Sequence, residues 1–478
     1  MPAPRHVVVV GGGISGLAAA WFLHRDGPPG LRVTVLEGSD RLGGALRSGE
    51  LAGVPVDRGA EALLLRRPEA VDLARAAGLG EDLEDAATTS ASVWSRGALR
   101  PLPTGTVMGV PGDLRRLAGT GLLTGRELSR IPLDAWLPRT RIGEDVSVGR
   151  YVTARVGRAV LDRLVEPLLG GVYAGRAHDL SLEATLPQLA PYVREQRSLL
   201  AAVRASRAGA PAAGGAVFGA PRGGVGRLPE AVARVSGARV RTGAPVRDVA
   251  RTPTGWRLTV GPASDPEEVL ADAVVLAVPA APAARLLRET VPRAARELAQ
   301  VRTASVAVVG LAFARSSFPA PPSGSGFLVP PVEGRAVKAV TFSSNKWGWS
   351  ARAAPGLLVV RASLGRVGEE AVLQRDDADL IDLALADLTD LLGATDPPVD
   401  AQVTRWGGGL PQYTVGHRGR VARVREAVAE VPGMAVCGAA YDGLGVPACV
   451  ATAERAAHEV LRQWAGDGPV DSAPAEGS

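Results

Sequence analysis

The chain is poor in lysine, cysteine and histidine. Lys338 and Lys346 are the only lysines among 54 basic residues, so the others are arginines, and Cys437 and Cys449 are the only cysteines. Two cysteines at this spacing form neither a CxxC redox pair nor a zinc-finger pattern. Since the five histidines are scattered, we expect no metal centre. Arginine is well suited to bidentate contact with carboxylate or phosphate, which points to an anionic small molecule as partner.

The sequence also lacks long apolar runs. The first such run, Val7–Val10, is far too short for a signal peptide or a membrane span. We therefore expect a cytoplasmic protein without an integral membrane segment. Residues 112–139 place leucines among arginines, as in a broken amphipathic helix. Weak contact with a membrane surface and ordinary packing both remain open for this segment.

Charge of one sign is not concentrated in any part of the chain. The 54 basic and 49 acidic residues give a formal net charge of +5, spread over 478 residues. A nucleic-acid partner would require a basic run or patch, so none is expected. The length suggests two to four structural units, and these features leave the oligomeric state open.

The first forty residues predict a strand, a glycine turn, a helix and a second strand. Residues 6–10 form a short apolar strand, GGGISG follows, and Glu37 ends the next strand. Gly11, Gly13 and Gly16 give the pattern GxGxxG, which lets the backbone approach a pyrophosphate at a helix N-terminus. Glu37 suits the hydroxyls of a ribose and disfavours a 2′-phosphate. The unit therefore predicts FAD or NAD rather than NADP.

A second glycine pair follows Glu37. Arg41 precedes Gly43 and Gly44 in EGSDRLGGALRSG, and a later turn contains Gly59. GxGxxG with a trailing RxGG is typical of flavoproteins of the amine oxidase superfamily, which this chain resembles. The resemblance favours FAD over NAD as the cofactor, with one FAD per chain and no covalent link.

Four further motifs narrow the resemblance. They are EPLLGGVYAG (166–175), PRGGVGRLPEA (221–231), RWGGGLPQYTVGH (405–417) and GAAYDGLGVPAC (438–449). Together with the N-terminal unit, they resemble the oxygen-dependent protoporphyrinogen and coproporphyrinogen oxidases over residues 6–462. The resemblance implies that FAD takes hydride from a porphyrinogen and that molecular oxygen reoxidises the flavin, releasing hydrogen peroxide. Three such cycles remove six electrons from the ring.

The order of the predicted elements indicates an α/β fold. It comprises a Rossmann-like FAD-binding domain, a discontinuous mixed-sheet substrate domain and a mostly helical insertion. Alternating apolar runs predict the strands of the substrate domain, with one helix over 376–392. The predicted boundaries are 1–85, 216–287 and 405–465 for the FAD-binding domain, 86–215 for the insertion, 288–404 for the sheet-rich substrate domain and 466–478 for a disordered tail.

The resemblance, read with the glycine turns, assigns the cofactor contacts residue by residue. The predicted cofactor-binding residues are Gly11, Gly12, Gly13, Ile14, Ser15, Gly16, Glu37, Gly38, Arg41, Gly44, Ala45, Gly59, Ala60, Glu61, Ala62, Val246, Trp406, Gly443, Leu444, Gly445 and Val446. Val246 and Trp406 have an alternative role as packing residues. Gly443 and Gly445, before the last helix, resemble the glycines of the first phosphate-binding turn.

A flat macrocycle against a flavin requires backbone without side chains, so glycines are the predicted substrate face. With no catalytic acid or base assigned, the candidates are Gly171, Gly175, Gly223 and Gly224. Structural turns are the alternative role for these glycines. Because a guanidinium pairs with a carboxylate in a fork, the candidate propionate ligands are Arg66, Arg67 and Arg176.

Two positions depart from the family pattern. Eukaryotic members tend to carry a propionate-binding arginine before a Gly-Ala-Leu turn, where this chain has Ser90, Ala91 and Ser92, and Ala453 stands where the family often has glycine. Carboxylate recognition must therefore differ. The abundance of arginine favours coproporphyrinogen III, with four propionates, over protoporphyrinogen IX, with two, and the resemblance is to the bacterial branch.

Other functions remain as alternatives. An amine oxidase or a carotenoid desaturase would share the FAD pattern but not the four motifs as a set. A FAD-retaining protein without turnover is a more distant alternative. A pyridine-nucleotide disulfide reductase is excluded, because the chain has neither a CxxC pair nor a second GxGxxG after a later strand.

Overall fold

A computed structural model describes residues 5–209 and 215–465 of the chain. Two large β-sheets and a group of short helices dominate this part of the molecule. The predicted disordered tail, 466–478, lies outside the described residues.

The first large sheet, the parallel sheet, has five strands that run in one direction. Its central valines, Val7 to Val10, are buried, as expected for a strand that is covered on both faces. Val7 pairs with Val33 on one side and with Ala273 on the other. In spatial order the strands are Arg239–Arg241, Arg32–Leu36, His6–Val10, Ala273–Leu276 and Met434–Val436.

Helices cover both faces of the parallel sheet. One face packs against Ile14–Asp26, Pro68–Ala76, Leu228–Val235 and Val446–Ala465. The other face packs against Ala280–Leu286, Pro292–Ala299 and His417–Ala429. This doubly wound arrangement gathers the loops at the carboxyl ends of the strands, where such sheets bind ligands.

The second large sheet, the seven-stranded sheet, is antiparallel except at one pair of strands. Gly326–Leu328 runs parallel to Ala91–Ser95. The outer face of this sheet packs on the helix Asp377–Leu392 around Phe313 and Phe342. In spatial order the strands are Asp400–Pro411, Thr303–Ala314, Leu357–Leu364, Val337–Phe342, Gly326–Leu328, Ala91–Ser95 and Ala98–Pro101.

Short helices form a third core beside the seven-stranded sheet. Leu117, Leu122 and Leu123 are buried in it, so these leucines of the segment 112–139 pack in the interior, whereas Trp136 is 81% exposed. The helices are Leu114–Ala118, Gly125–Arg130, Ile131–Ala135 (3-10), Val148–Val156, Arg158–Val160, Leu161–Val165 (π), Glu166–Tyr173, Leu182–Thr185, Ala190–Glu195 and Leu199–Ala208.

The remaining elements are short. The smaller sheets are formed by Ser48–Leu51 with Val54–Asp57, by Leu63–Leu64 with Phe218–Pro221 and Leu83–Asp85, by Thr106–Val107 with Val110–Pro111, and by Val246–Thr252 with Gly255–Val260 and Glu267–Ala271. The short helices are Val225–Arg227, Arg315–Ser317, Pro331–Glu333, Ser343–Lys346, Gly348–Ala353 and Glu370–Gln374.

Four elements depart from the predicted domain boundaries. Ala91–Ser95 and its neighbour Ala98–Pro101 lie in the predicted helical range 86–215 but join the seven-stranded sheet. Pro292–Ala299 lies in the predicted sheet-rich range but packs on the parallel sheet, because Ala294 and Leu298 complete its core. The strand Asp400–Pro411 continues past residue 404. In the described parts of the chain, no helix is both long and apolar enough to cross a bilayer.

Candidate active site

The first glycine turn lies between the first strand and the helix Ile14–Asp26. The N–H of Gly11 donates to the carbonyl oxygen of Leu36 at 2.8 Å, which fixes the turn on the neighbouring strand. A Cβ atom at Gly16 would collide with the carbonyl oxygen of Gly11, so the helix can start this close to the turn only with glycine. Gly13 is the N-cap, and no side chain caps the helix. The N–H groups of its first turn are therefore available to an anion.

Glu37 is held over this turn at the end of the second strand. Its carboxylate accepts hydrogen bonds from the N–H of Gly12 at 2.6 Å and from the N–H and Oγ of Ser39, each at 2.8 Å. A carboxylate has about four lone-pair positions, so it can accept a further hydroxyl donor. The arrangement suits a ribose beside the phosphate turn.

Val246 lies next to the same strand end. The N–H of Ala244 donates to the carbonyl oxygen of Glu37 at 2.8 Å, and Gly38 faces Pro245. Val246 follows directly and is half-buried. Val246 therefore lies near the strand end that carries Glu37, and its cofactor role stays a prediction.

The second glycine pair crosses the first glycine turn. The N–H of Gly43 donates to the carbonyl oxygen of Gly12 at 2.9 Å. Arg41 folds back over this segment, since its Nη2 donates to the carbonyl oxygen of Gly44 at 3.0 Å. Backbone rather than side chains thus forms the contact between the two glycine segments.

A further turn, 59–62, lies against the second glycine segment and the seven-stranded sheet. The N–H of Ala60 donates to the carbonyl oxygen of Ala45 at 3.2 Å. From the seven-stranded sheet, Nε1 of Trp406 donates to the carbonyl oxygen of Arg58 at 2.9 Å. Trp406 is half-buried, so its indole borders both the turn and open space.

The helix Val446–Ala465 provides a second helix N-terminus at this end of the parallel sheet. It packs alongside the helix Ile14–Asp26. The segment from Gly443 to Val446 leads into it, and the N–H of Gly438 donates to Oγ1 of Thr452 at 3.0 Å. Two helix starts, an acidic side chain and three glycine-rich segments thus converge, and these residues fit an extended dinucleotide such as FAD.

Glu61 is engaged in a buried network. Its carboxylate accepts from Oγ of Ser343 at 2.6 Å and Nε1 of Trp347 at 3.2 Å, and it pairs with Nη1 of Arg361 at 2.8 Å and Nζ of Lys346 at 3.4 Å. Burial alone would raise the pKa of this carboxyl, but Lys346 and Arg361 outweigh it and hold the pKa of Glu61 at about 2. The cofactor role of Glu61 stays a prediction.

The motif RWGGGLPQYTVGH holds the loop before the last helix. Oη of Tyr413 donates to the carbonyl oxygen of Ala439 at 2.6 Å, and Nε2 of His417 lies 3.0 Å from the carbonyl oxygen of Tyr441. The rings of Tyr413 and His417 stack with centroids 4.0 Å apart. Burial lowers the pKa of His417 to about 4. Its ring is therefore neutral at pH 7 and donates through Nε2.

Two of the four predicted substrate glycines are required by packing. A Cβ at Gly175 would collide with Oε1 of Gln412, and a Cβ at Gly224 would lie 2.6 Å from Oδ1 of Asp57. Gly171 is exposed, and a Cβ there would lie 3.3 Å from Leu328 on the seven-stranded sheet. The substrate role of Gly171 stays a prediction.

Gly223 and the three predicted propionate ligands lie at the edges of this region. Gly223 is half-buried, with only the side chain of Arg227 near its Cβ position. Arg66 and Arg67 are exposed, and Nε of Arg67 lies 3.1 Å from Glu69. Arg176 is exposed and its Nε donates to the carbonyl oxygen of Val367 at 3.2 Å. All four assignments stay predictions.

Sequence reasoning missed four residues that organise the site: Arg361, Gln412, Tyr413 and His417. The last three belong to the motif RWGGGLPQYTVGH, but the motif does not reveal which backbone carbonyls they bind. The only signal for Arg361 is a charge within the apolar strand Leu357–Leu364.

This arrangement is that of a flavoenzyme, and the chain belongs to a known family of them. Residues 14–461 match the family model described as flavin containing amine oxidoreductase. The chain is 40% identical to the coproporphyrinogen III oxidase of Mycobacterium tuberculosis, over 96% of this chain and 98% of that one. It is 32% identical to the coproporphyrinogen III oxidase of Bacillus subtilis, over 96% and 98% of the two chains.

Solved structures agree with the fold. An Exiguobacterium sp. crystal structure, provisionally assigned as a protoporphyrinogen oxidase, shares 35% identity and a TM-score of 0.84, over 96% of this chain and 99% of that one. The cyclohexylamine oxidase of Brevibacterium oxydans has a TM-score of 0.68 at 16% identity, over 97% and 100%. The predicted family, the α/β fold with a Rossmann-like domain and a flavin oxidoreductase activity are confirmed.

Proposed function

We propose that the protein oxidises coproporphyrinogen III to coproporphyrin III in haem biosynthesis, with FAD as cofactor and molecular oxygen as acceptor, releasing hydrogen peroxide. The observation that carries the proposal is the near full-length match, at 40% identity, to an enzyme named coproporphyrinogen III oxidase. Two free, buried cysteines suit a reducing compartment, so the cytoplasm is the proposed location.

One FAD per chain, bound without a covalent link, suits the site geometry. The uncapped helix at Gly13 offers N–H groups to the pyrophosphate, and Glu37 keeps acceptor capacity for ribose hydroxyls. Trp406 and the 59–62 turn then border the isoalloxazine end. When bound, the FAD would supply a hydride acceptor for a carbon of the porphyrinogen and a carrier of electrons to oxygen.

The protein contributes binding and orientation in this reaction. Gly171 is exposed and lies close to Leu328, where the short helices meet the seven-stranded sheet, and this is where the macrocycle would bind. Residues that hold the loop before the last helix, such as Tyr413, would fix the isoalloxazine ring relative to the macrocycle. Because FAD holds two electrons, the six-electron oxidation needs three rounds, and tautomerisation of the macrocycle would return a reactive carbon to the flavin between rounds.

The distribution of cationic side chains favours four carboxylates over two. Arg66 and Arg67 follow the strand Leu63–Leu64, in which Leu64 pairs with Phe218. The ring of Phe218 lies under the ammonium group of Lys346, which is near one end of the strand Val337–Phe342. Arg176 lies beside Val367, near the other end, where Val337 pairs with Leu364. The five steps of about 3.3 Å between the first and last of the strand's six residues separate these ends by roughly 17 Å. Carboxylates distributed around the macrocycle would meet cations on both sides.

Anaerobic flavin bleaching tests cofactor and substrate together. The purified protein is mixed without oxygen with coproporphyrinogen III, with protoporphyrinogen IX and, as controls, with cyclohexylamine and NADH. We expect the fastest bleaching with coproporphyrinogen III, none with the controls, and hydrogen peroxide on admission of air. Faster bleaching by protoporphyrinogen IX would contradict the substrate assignment, and bleaching by the amine would contradict the reaction class. Flavin retained on the acid-precipitated protein would contradict non-covalent binding.

A further inference from the structure

A cationic side chain from the seven-stranded sheet reaches the turn at Gly59. Arg361 lies on the strand Leu357–Leu364, whose flanking residues pack on the outer face, so Arg361 points to the inner face. Its Nη2 donates to the carbonyl oxygen of Gly59 at 2.5 Å, and its Nη1 lies 2.8 Å from the carboxylate of Glu61. The guanidinium is thereby fixed against the turn that is predicted to border the flavin ring.

The charge cluster around Arg361 has one positive charge in excess. Glu61 is the shared anion of two cations, Arg361 and Lys346. The side chains of Glu61, Arg361 and Lys346 are only 9%, 10% and 15% exposed, so solvent screens their charges weakly. The adjacent Asp57 and Arg58 carry opposite charges and add no net charge when both are ionised.

One donor atom of the Arg361 guanidinium lacks an acceptor within the described part of the chain. Its Nε is buried and has no hydrogen-bond partner among the described residues, and the same holds for Nε of Arg58. Both arginines line, with Asp57, a small cavity that is about the size of one water molecule. A neutral water can satisfy a donor there but does not cancel its charge.

We propose that Arg361, within the cluster of Arg361, Lys346 and Glu61, raises the reduction potential of the bound flavin; this rests on the proposed binding of FAD beside Gly59. In the reaction, a C–H bond of the porphyrinogen breaks, and its hydrogen and electron pair move to the isoalloxazine ring, which gains one negative charge. The oxidised substrate loses an N–H proton to solvent. Oxygen later takes up two electrons and two protons and leaves as hydrogen peroxide. A nearby cation stabilises the ring after it gains charge more than before.

The cluster provides variants with opposite expected effects. Arg361→Met removes the cation and lowers the flavin midpoint potential, whereas Glu61→Gln removes the anion and raises it. Arg361→Lys keeps the charge and stays near the wild-type potential. The matched control is Arg315→Met, because Arg315 also donates to a backbone carbonyl, that of Pro355, but lies beyond the end of the neighbouring strand Thr303–Ala314.

The potentials are measured on the FAD-loaded proteins by anaerobic titration against redox dyes, with sulfite affinity of the oxidised flavin as a second readout. We expect the reduction equilibrium to shift about tenfold or more for Arg361→Met, about 30 mV for a two-electron couple. Sulfite binding should weaken by a similar factor. The control should match the wild type.

The signs of the two shifts in midpoint potential distinguish an effect of charge from a structural disturbance. If Arg361→Met and Glu61→Gln move the potential in the same direction, or leave it unchanged, the proposal is overturned. If Arg361→Met does not retain flavin, Glu61→Gln decides, with a raised potential supporting the proposal and any other result rejecting it. A wild-type protein that binds no FAD would reject the proposed function instead.

Discussion

Tyr413→Phe removes one hydroxyl from the support of the loop before the last helix. Tyr413 is only 1% exposed, and its Oη donates to the carbonyl oxygen of Ala439 at 2.6 Å. Phenylalanine keeps the ring that stacks on His417, so little packing is lost. The carbonyl of Ala439 then lacks its donor in a part-buried place, which costs up to about 1–3 kcal/mol.

Part of that cost should appear in cofactor affinity. Ala439 belongs to the loop that leads to Gly443 and Val446, which are proposed FAD contacts. A cost of about 1–2 kcal/mol in the bound conformation raises the Kd for FAD about 5- to 30-fold. Calorimetric titration of the apoprotein with FAD measures this change, and thermal unfolding with and without FAD measures the total cost.

Tyr151→Phe is the matched control for this substitution. Tyr151 is 2% exposed in the core of the short helices, away from the loop. We expect its FAD affinity to equal that of the wild type. A Tyr413→Phe protein that melts earlier yet binds FAD with unchanged affinity would refute the coupling between this hydroxyl and the cofactor.

Four further substitutions test separate parts of the structure. Burial and a neighbouring arginine lower the pKa of Lys338 from 10.5 to about 7; the charged form therefore costs stability, fully below pH 7 and less as the pH rises towards the unfolded-state value. Lys338→Met should accordingly gain stability over wild type in urea at about pH 6, and the gain should shrink at about pH 9; a pH-independent difference would contradict this. Gly175→Ala should cost about 1–3 kcal/mol in thermal unfolding, and adding Gln412→Ala should recover part of the loss; a purely additive double variant would exclude the collision. Arg67→Ala should lower kcat/KM for coproporphyrinogen III more than for protoporphyrinogen IX, by about fivefold or less at an exposed site and less still at high salt; equal losses would remove it from the carboxylate site. Glu37→Arg should reduce the flavin-to-protein absorbance ratio after gel filtration, and an unchanged ratio would remove Glu37 from the FAD site.

Elements with local signals were predictable from sequence. The helix predicted over 376–392 is Asp377–Leu392 in the structure, where Asp376 is the N-cap and Gly393 ends the helix with a left-handed φ of 69°. The first strand is His6–Val10, as predicted. The signals for caps, glycine turns and apolar runs lie within a few residues, so they survive without knowledge of the fold.

The boundaries between the structural units were harder to predict from sequence. Ala91–Ser95 pairs with Gly326–Leu328, more than two hundred residues further along the chain. A strand of alternating residues shows that it has a buried face but not which sheet covers that face. For the same reason, the helix Pro292–Ala299 was predicted in the sheet-rich part although it completes the core of the parallel sheet.

By itself the sequence determined the nucleotide-binding unit, the flavoenzyme family and the glycines that any close backbone approach requires, because each depends on short motifs. Only the tertiary structure decided how the motifs meet. It paired Glu61 with Arg361 and placed Tyr413 and His417 on the carbonyls before the last helix. Those contacts join groups that are distant in sequence, and their geometry depends on the packing of both sheets, which no local pattern records.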